Sequence, residues 1–232
     1  MITHAMDLLG VGIYSVTEAS RMTAVSPGRI RRWLSGYTFY TSGHRHASPP
    51  VWQREIAKCD GKTALSFRDL MEIRCVDFFL RRGVCWKTLR QAERLGRELL
   101  GTSHPFSTDR IKTDGHTIFA ELYRREKEPS LLDLAKSQHV FNQIIGPFLL
   151  GVEFSADGLP TRWWPMARSR RIVIDPQRSF GQPIVNREGV PTRILAQAHH
   201  TMGSVLDVAD WYRVDRRSVK AAITYEQQLL AA

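Results

Sequence analysis

Apolar positions along this chain repeat with two periods, and the switches between them mark out its elements. Helical spacing comes first: Val16, Ala19 and Met22 share one face, and Ile30, Trp33 and Leu34 share the next. A longer stripe, Leu70, Ile73, Val76, Phe79 and Leu80, runs to Gly83, and Leu89, Ala92, Leu95 and Leu99 run to Gly101. Each glycine stands where a helix stop is favoured. Between these pairs, Tyr37 to Thr41 is β-prone, Ser42 to His46 is a polar turn, and Pro49 to Trp52 returns as a second extended piece. Arg110 to Thr113 and His116 to Phe119 flank Asp114-Gly115, a favoured tight-turn pair, and predict another hairpin. A helix follows from Leu131 to Ile145, capped by Ser130 with Asp133 in the box position and stopped at Gly146-Pro147. Leu149 to Ser155 and Thr161 to Trp164 then pair around Ala156-Asp157-Gly158. That alternation sends one of Trp163 and Trp164 into the core and the other toward a neighbouring domain, a packing role rather than a base-stacking one.

Three further helices close the chain: one from Thr192 to His199, one opened by Ser204 with Asp207, and one capped by Asp215 and running toward Leu230. Val205, Val208, Ala209 and Tyr212 share a face, as do Val219, Ala222 and Ile223, so a small trihelical core is expected.

The polar positions that begin these helices are as informative as the apolar ones. Ser15 and Glu18 have capping-box spacing, with Tyr14 placed to begin a hydrophobic staple, and Ser66 with Asp69 repeats the box. Ala24-Val25 makes a turn, Ser26 is placed to cap the next helix, and Pro27 takes its first position, where the missing N–H costs nothing. Ser26, Gly28, Arg29, Arg31 and Arg32 are then left on the outside of a short basic helix. This is the pattern of a helix-turn-helix whose second helix reads DNA, the alternative being a helical hairpin with a solvated basic face. The hairpin after it belongs where a wing would be, so Arg45, with His44 or His46, is a candidate phosphate contact. The His-x-His pair has no thiol or carboxylate cluster beside it, which argues against a metal site. Arg216, Arg217 and Lys220 cluster at the outer start of the last helix, a second DNA contact or a surface for an acidic protein. His199 and His200 read as helix-end charges.

Composition narrows the class. The 232 residues carry a formal net charge of +10, weighted toward the N-terminal half, which favours a polyanionic partner. Cys59, Cys75 and Cys85 have neither disulfide nor zinc spacing, which points to a reducing, cytoplasmic setting. Met1 to Val11 lacks the basic n-region of a signal peptide, and no apolar run reaches the ~20 residues of a membrane span. Acidic residues largely sit at caps and turns, and no nucleophile elbow, zinc-protease motif or phosphate loop is present, so neither an enzyme nor a cofactor is expected.

Two resemblances sharpen this reading. Tyr14, Val16, Glu18, Val25, Ser26, Pro27, Ile30 and Arg31 match the reading head of MerR-type winged helix-turn-helix regulators, with Ser20 and Ala24 where that family usually has Ala and Gly. The phrases from Leu65 to Ile73 and from Arg82 to Leu89 resemble the helix pair that follows the wing there. Asp175, Pro176, Gly181, Pro183, Val190 and Pro191 resemble the small bacterial domain of unknown function number 433, although its Gly-Thr-Arg triplet is here Arg187-Glu188-Gly189. In this order the two resemble the two-domain actinobacterial VapB-like antitoxins. The resemblance implies a homodimeric DNA-binding antitoxin that binds its own operator and neutralises a PIN-like ribonuclease toxin. The competing reading is a free-standing MerR-like transcriptional regulator. A ligand-sensing MerR regulator fits less well, because that family's metal-binding cysteines and long dimerisation helix are missing. The expected architecture is mainly α with small β-hairpins: a winged helix-turn-helix domain over residues 1–128, a connector over 129–169, and a trihelical helix-turn-helix-like domain over 170–232.

Overall fold

A computed structural model of the chain describes residues 10–57, 61–112, 114–127 and 131–231, and within them the protein is mainly helical with small antiparallel sheets. Two compact units form: Ser15–Leu150 with Phe154–Pro160, and Gly151–Glu153 with Thr161 onward plus residues 10–14.

The larger unit opens with α1 (Val16–Thr23) and α2 (Pro27–Ser35), followed by the hairpin of β1 (Tyr37–Thr41) and β2 (His44–Ser48). The Ser15–Glu18 capping box is complete, its two backbone bonds measuring 2.8 and 3.2 Å. Ala24 takes up the left-handed turn conformation, φ 55° and ψ 27°, and Val25 beneath it is buried. The hairpin is tighter than its sequence suggests. Gly43 supplies a positive φ, so the turn shrinks to Ser42-Gly43, and β2 begins at His44 and ends at Ser48 before the Pro49-Pro50 pair. His44, Arg45 and His46 are therefore strand residues. Next come α3 (Phe67–Arg81) and α4 (Trp86–Leu100), the first held by the Ser66–Asp69 box and the second ended by Gly101.

Two expectations fail beyond this point. Asp114-Gly115 does not turn a hairpin: Asp109–Lys112 is a 3₁₀ turn and Gly115 begins α5 (Gly115–Glu126), while Thr113 lies outside the described residues. The reason is tertiary. A Cβ at Gly115 would stand 2.6 Å from the Phe141 ring, so the glycine serves close packing rather than a turn. The long helix expected after Ser130, itself outside the described residues, is split into α6 (Leu132–Lys136) and α7 (Gln138–Leu149). Ser137 between them is fully extended, and its side chain caps α7. Pro147 does not stop α7, because Phe148 is held by Arg74, which bonds its carbonyl and stacks on its ring, and Leu149 is buried. Phe79, Phe106, Phe119 and Phe141 form the aromatic centre of this unit, in successive ring contacts of 4.7 to 6.0 Å.

The smaller unit pairs β3 (Val152–Phe154), β4 (Pro160–Trp163), β5 (Ile172–Ile174) and β6 (Pro183–Val185) in that spatial order. Trp163 and Trp164 are both buried, and Trp164 packs with Val173 and Ile184. Three helices follow: α8 (Thr192–Met202), α9 (Val205–Tyr212) and α10 (Arg216–Ala231). Thr192 is inside α8 rather than its cap; Pro191 takes that place, and the Thr192 hydroxyl bonds Glu226 instead. Ile172, Val185, Leu195, Val208, Val219 and Ala222 make a continuous apolar core. Residues 10–14 belong to this unit: Ile13 N–H donates to the Phe180 carbonyl at 3.0 Å, and Tyr14 lies against Gly181, where a Cβ would come within 2.3 Å of its hydroxyl.

Candidate nucleic-acid interface

Helix α2 presents two stripes because Ile30, Trp33 and Leu34 turn inward and are buried. Gly28 and Arg31 form the open stripe; a Cβ at Gly28 would meet nothing within 4 Å, so a ligand can approach the backbone closely there. Arg29 and Arg32 form the flank. Arg32 lies over the Tyr37 ring at 5.6 Å and Arg29 over Trp33 at 5.1 Å. Ser26 occupies the N-cap position without a side-chain capping bond, so its exposed hydroxyl remains available, and Pro27 follows at the first helical position.

Arg29 is less free than its place in the sequence implies. Its guanidinium lies 3.3 Å from the carboxylate of buried Asp77 on α3, which also binds Arg81. Arg81 in turn reaches the Ala24 carbonyl in the α1–α2 turn at 3.5 Å. The buried carboxylate thus ties the outer helix to α3 through two arginines.

The flank of α2 and the hairpin meet α4 in an open cleft of about 310 Å³, lined by Arg29, Arg32, Trp33, Tyr37, Trp86 and Arg90. Arg90 anchors its rim, donating to Ser48 Oγ at 2.7 Å and to the Pro49 carbonyl at 2.8 Å, while Trp33 and Trp86 meet edge to face at 5.4 Å. Guanidinium forks over aromatic floors suit a phosphate group with an adjacent flat sugar or base. The sequence pattern does not single out Arg90, because it lies far along the chain from α2 and its only local signal is one basic residue on an amphipathic helix.

Both hairpin strands are solvent-exposed except at Ser48, and they carry Tyr37, Phe39 and Tyr40 outward. His46 stacks on Phe39 at 5.3 Å, His44 Nδ1 lies 3.1 Å from the Ser42 carbonyl, and Arg45 stands opposite Tyr40 on the other face. The structure therefore gathers Arg29 and Arg32 into the cleft, leaves Arg31 and Gly28 on the open stripe, and puts Arg45 on a separate exposed face. Arg216, Arg217 and Lys220 are all exposed, at the start of α10 in the other unit.

Beneath the site, a polar network fixes the hairpin's exit to α3. Trp52 Nε1 donates to Asp69 Oδ1 at 2.8 Å, His104 Nε2 lies 3.0 Å from the same oxygen, and the Ser66 N–H binds Oδ2 at 3.0 Å. Burial by itself raises the Asp69 carboxyl, but these bonds outweigh it and hold it below its ordinary value. Glu72, one turn on, goes the other way: burial, with Glu93 and Asp69 nearby, pushes it well above the usual range despite the Phe106 N–H it accepts. Burial raises Glu93 too, against the opposing pull of Arg97.

Among the described residues no cluster of His, Cys, Asp and Glu is arranged to hold a metal, and no helix is long and apolar enough to cross a membrane. Cys75 is buried and Cys85 is an exposed helix-start residue; Cys59 lies outside the described residues.

No family model matches the sequence. The chain is similar over nearly all its length to a curated Mycobacterium tuberculosis (strain ATCC 25618 / H37Rv) protein. Identity is 25% over 228 residues, covering 92% of this chain and 93% of the relative. That relative is named "Putative antitoxin VapB45". A crystal structure of Rv2018 from Mycobacterium tuberculosis shares the fold, with a TM-score of 0.71 at 22% identity over 93% of this chain and 99% of that one.

Proposed function

We propose that this protein is a DNA-binding antitoxin of a type II toxin–antitoxin pair, acting as a homodimer on its own operator and neutralising a PIN-like ribonuclease. It acts by binding, not by catalysis. The observation that supports the DNA reading is the juxtaposition, on α2, of an open Gly28/Arg31 stripe with the Arg29/Arg32/Arg90 cleft; in the proposed winged helix-turn-helix the stripe would face base edges and the cleft backbone phosphate. The antitoxin reading rests on the full-length similarity to a relative of that name. One head covers a half-site only, so a dimer doubles the contact.

Electrophoretic mobility shift on the DNA upstream of its own gene tests the first part. Arg31→Ala/Arg32→Ala should weaken specific binding about 10- to 100-fold, while Arg90→Ala, which removes a phosphate contact, should weaken all sequences alike and flatten the salt dependence. Unchanged affinity in both variants rejects the site. Co-expression with the product of the adjacent reading frame tests the second part: the expected result is a co-purifying ribonuclease held inactive. A neighbour that neither binds nor is inhibited leaves a free-standing regulator and overturns the antitoxin reading.

A further inference from the structure

The α9–α10 pair reproduces the α1–α2 pair position by position. Ser15 and Ser204 cap the first helices, each accepting the N–H of an acidic residue three places on, Glu18 and Asp207, at 3.2 Å. Both first helices are eight residues long. Ala24 and Arg213 then take the same left-handed turn, φ 55° and 53°, and Val25 and Val214 are the buried turn residues. Ser26 and Asp215 precede the second helices, where Ile30 and Val219 face inward. All these pairs are separated by the same 189 positions. Little side-chain identity accompanies the match, and the second helices differ in length, nine residues against sixteen, so the repeat lies in the first helix and the turn: equal first helices, one strained residue, one buried valine and one small polar residue before the second helix.

That register assigns positions on α10. Lys220 stands where Arg31 stands on α2, Arg217 where Gly28 stands, and both are exposed. Beside the start of α10, an open cleft of about 420 Å³ is lined by Arg170, Arg171, Asn186, Arg187, Arg217 and Ser218, together with Asp215 and Glu188. The two carboxylates are partly committed: Asp215 binds Arg171 at 3.1 Å and caps α10 through the Arg217 and Ser218 N–H groups. Among the described residues, Arg187 and Arg217 form no ion pair. Two guanidinium groups without an ion pair, Arg187 on the turn after β6 and Arg217 in the first turn of α10, are suited to a backbone phosphate, with Arg216 and Lys220 beyond them along the outer face.

We propose that α9–α10 is a second duplex-DNA reader, with Arg216 and Lys220 contacting the groove and Arg187 and Arg217 a phosphate, so that each chain recognises two separate sequence elements. The inference rests in part on the reading of α1–α2 as a DNA-binding pair, and the test separates the two. The full-length protein, wild type and three variants, is used to select from a library of random duplex DNA. Wild type should return a consensus of two elements; Arg216→Ala/Lys220→Ala should erase one and keep the other, and Arg31→Ala/Arg32→Ala should do the converse. Removing the two phosphate contacts instead, as Arg187→Ala/Arg217→Ala, should lower the slope of log affinity against log salt by about 2 without changing the consensus. If Arg216→Ala/Lys220→Ala selects the wild-type consensus with affinity within twofold, the proposal is overturned. It is overturned equally if that variant keeps its DNA and instead loses a co-expressed protein partner. If only Arg31→Ala/Arg32→Ala leaves its element intact, the second reader stands and the α1–α2 assignment falls.

Discussion

The two units reach stability by different chemistry. The core of the smaller one is aliphatic, Ile172, Val185, Leu195, Val208 and Val219 with Tyr225, and the buried polar groups near it, Asp175, Thr192 and Ser218, sit at element ends. The larger one buries Asp69, Glu72, Asp77, Glu93 and His104 inside or against its helices. The first core depends on shape, the second on protonation state and on partners for its charges. Among the described residues, the carboxyl groups held away from their ordinary values, Asp69, Glu72, Glu93 and Glu121, all lie in the unit that carries α2 and the hairpin.

The sharpest way to separate the two is to remove a polar anchor. Asp69→Ala strips the Trp52, His104 and Ser66 bonds together and should cost about 3 to 5 kcal/mol. Hydrogen exchange should show the loss within residues 15–150 and unchanged protection in α8 to α10. Equal loss in both units would erase the distinction. Leu195→Ala is the mirror experiment, a cavity in the aliphatic core worth about 3 kcal/mol, with protection lost in the smaller unit to the same extent at pH 5 and pH 8. A marked pH dependence there would contradict an aliphatic core.

Smaller effects sharpen the contrast further. Glu72 and Glu93 are held above their ordinary value of 4.5, so the folded state favours their neutral forms. Their contribution is full at pH below that value and is lost as pH rises through the raised ones. Asp69, held below 3.8, acts oppositely, and its contribution is lost only as pH falls through its folded value. Glu72→Gln keeps the acceptor for the Phe106 N–H and removes the buried charge, so it should raise thermal stability at pH 8 by about 1 kcal/mol and change little at pH 4. A gain of equal size at both pH values would mean that protonation is not the cause. Smallest of all, Ala24→Gly and Arg213→Gly relieve a left-handed residue in each unit. Each should stabilise by under about 1 kcal/mol, since relief of strain is partly offset by glycine's freedom in the unfolded chain. Matching shifts in the two melting curves would support equivalent turns; opposite signs would break the repeat.

What the sequence revealed of this molecule was local. Ser15 with Glu18, Ser66 with Asp69 and Asp215 before α10 cap helices within three residues, so their spacing alone predicted them. Asp114-Gly115 misled because the pair is favoured in tight turns, while Phe141, which makes a bare Cα necessary at Gly115, lies far along the chain. The site divides in the same way. Arg31 and Arg32 were visible from the pattern of α2, but Arg90 on the cleft rim and Asp77 beneath Arg29 become visible only once α3 and α4 are packed.

The placement of residues 10–14 in the smaller unit bears on how the chain is made. Those residues leave the ribosome early, yet the Phe180 carbonyl and the Gly181 niche they occupy are synthesised about 170 residues later. At about 5 to 20 residues per second, that interval lasts roughly 10 to 35 seconds. Through it the larger unit, whose segments end at residue 160, has its whole sequence available, while the smaller waits for residues 161 onward to join residues 10–14. A nascent chain cut short therefore carries α2 and the hairpin without α9–α10, and a fragment starting near residue 170 lacks the strand of backbone that closes over Gly181.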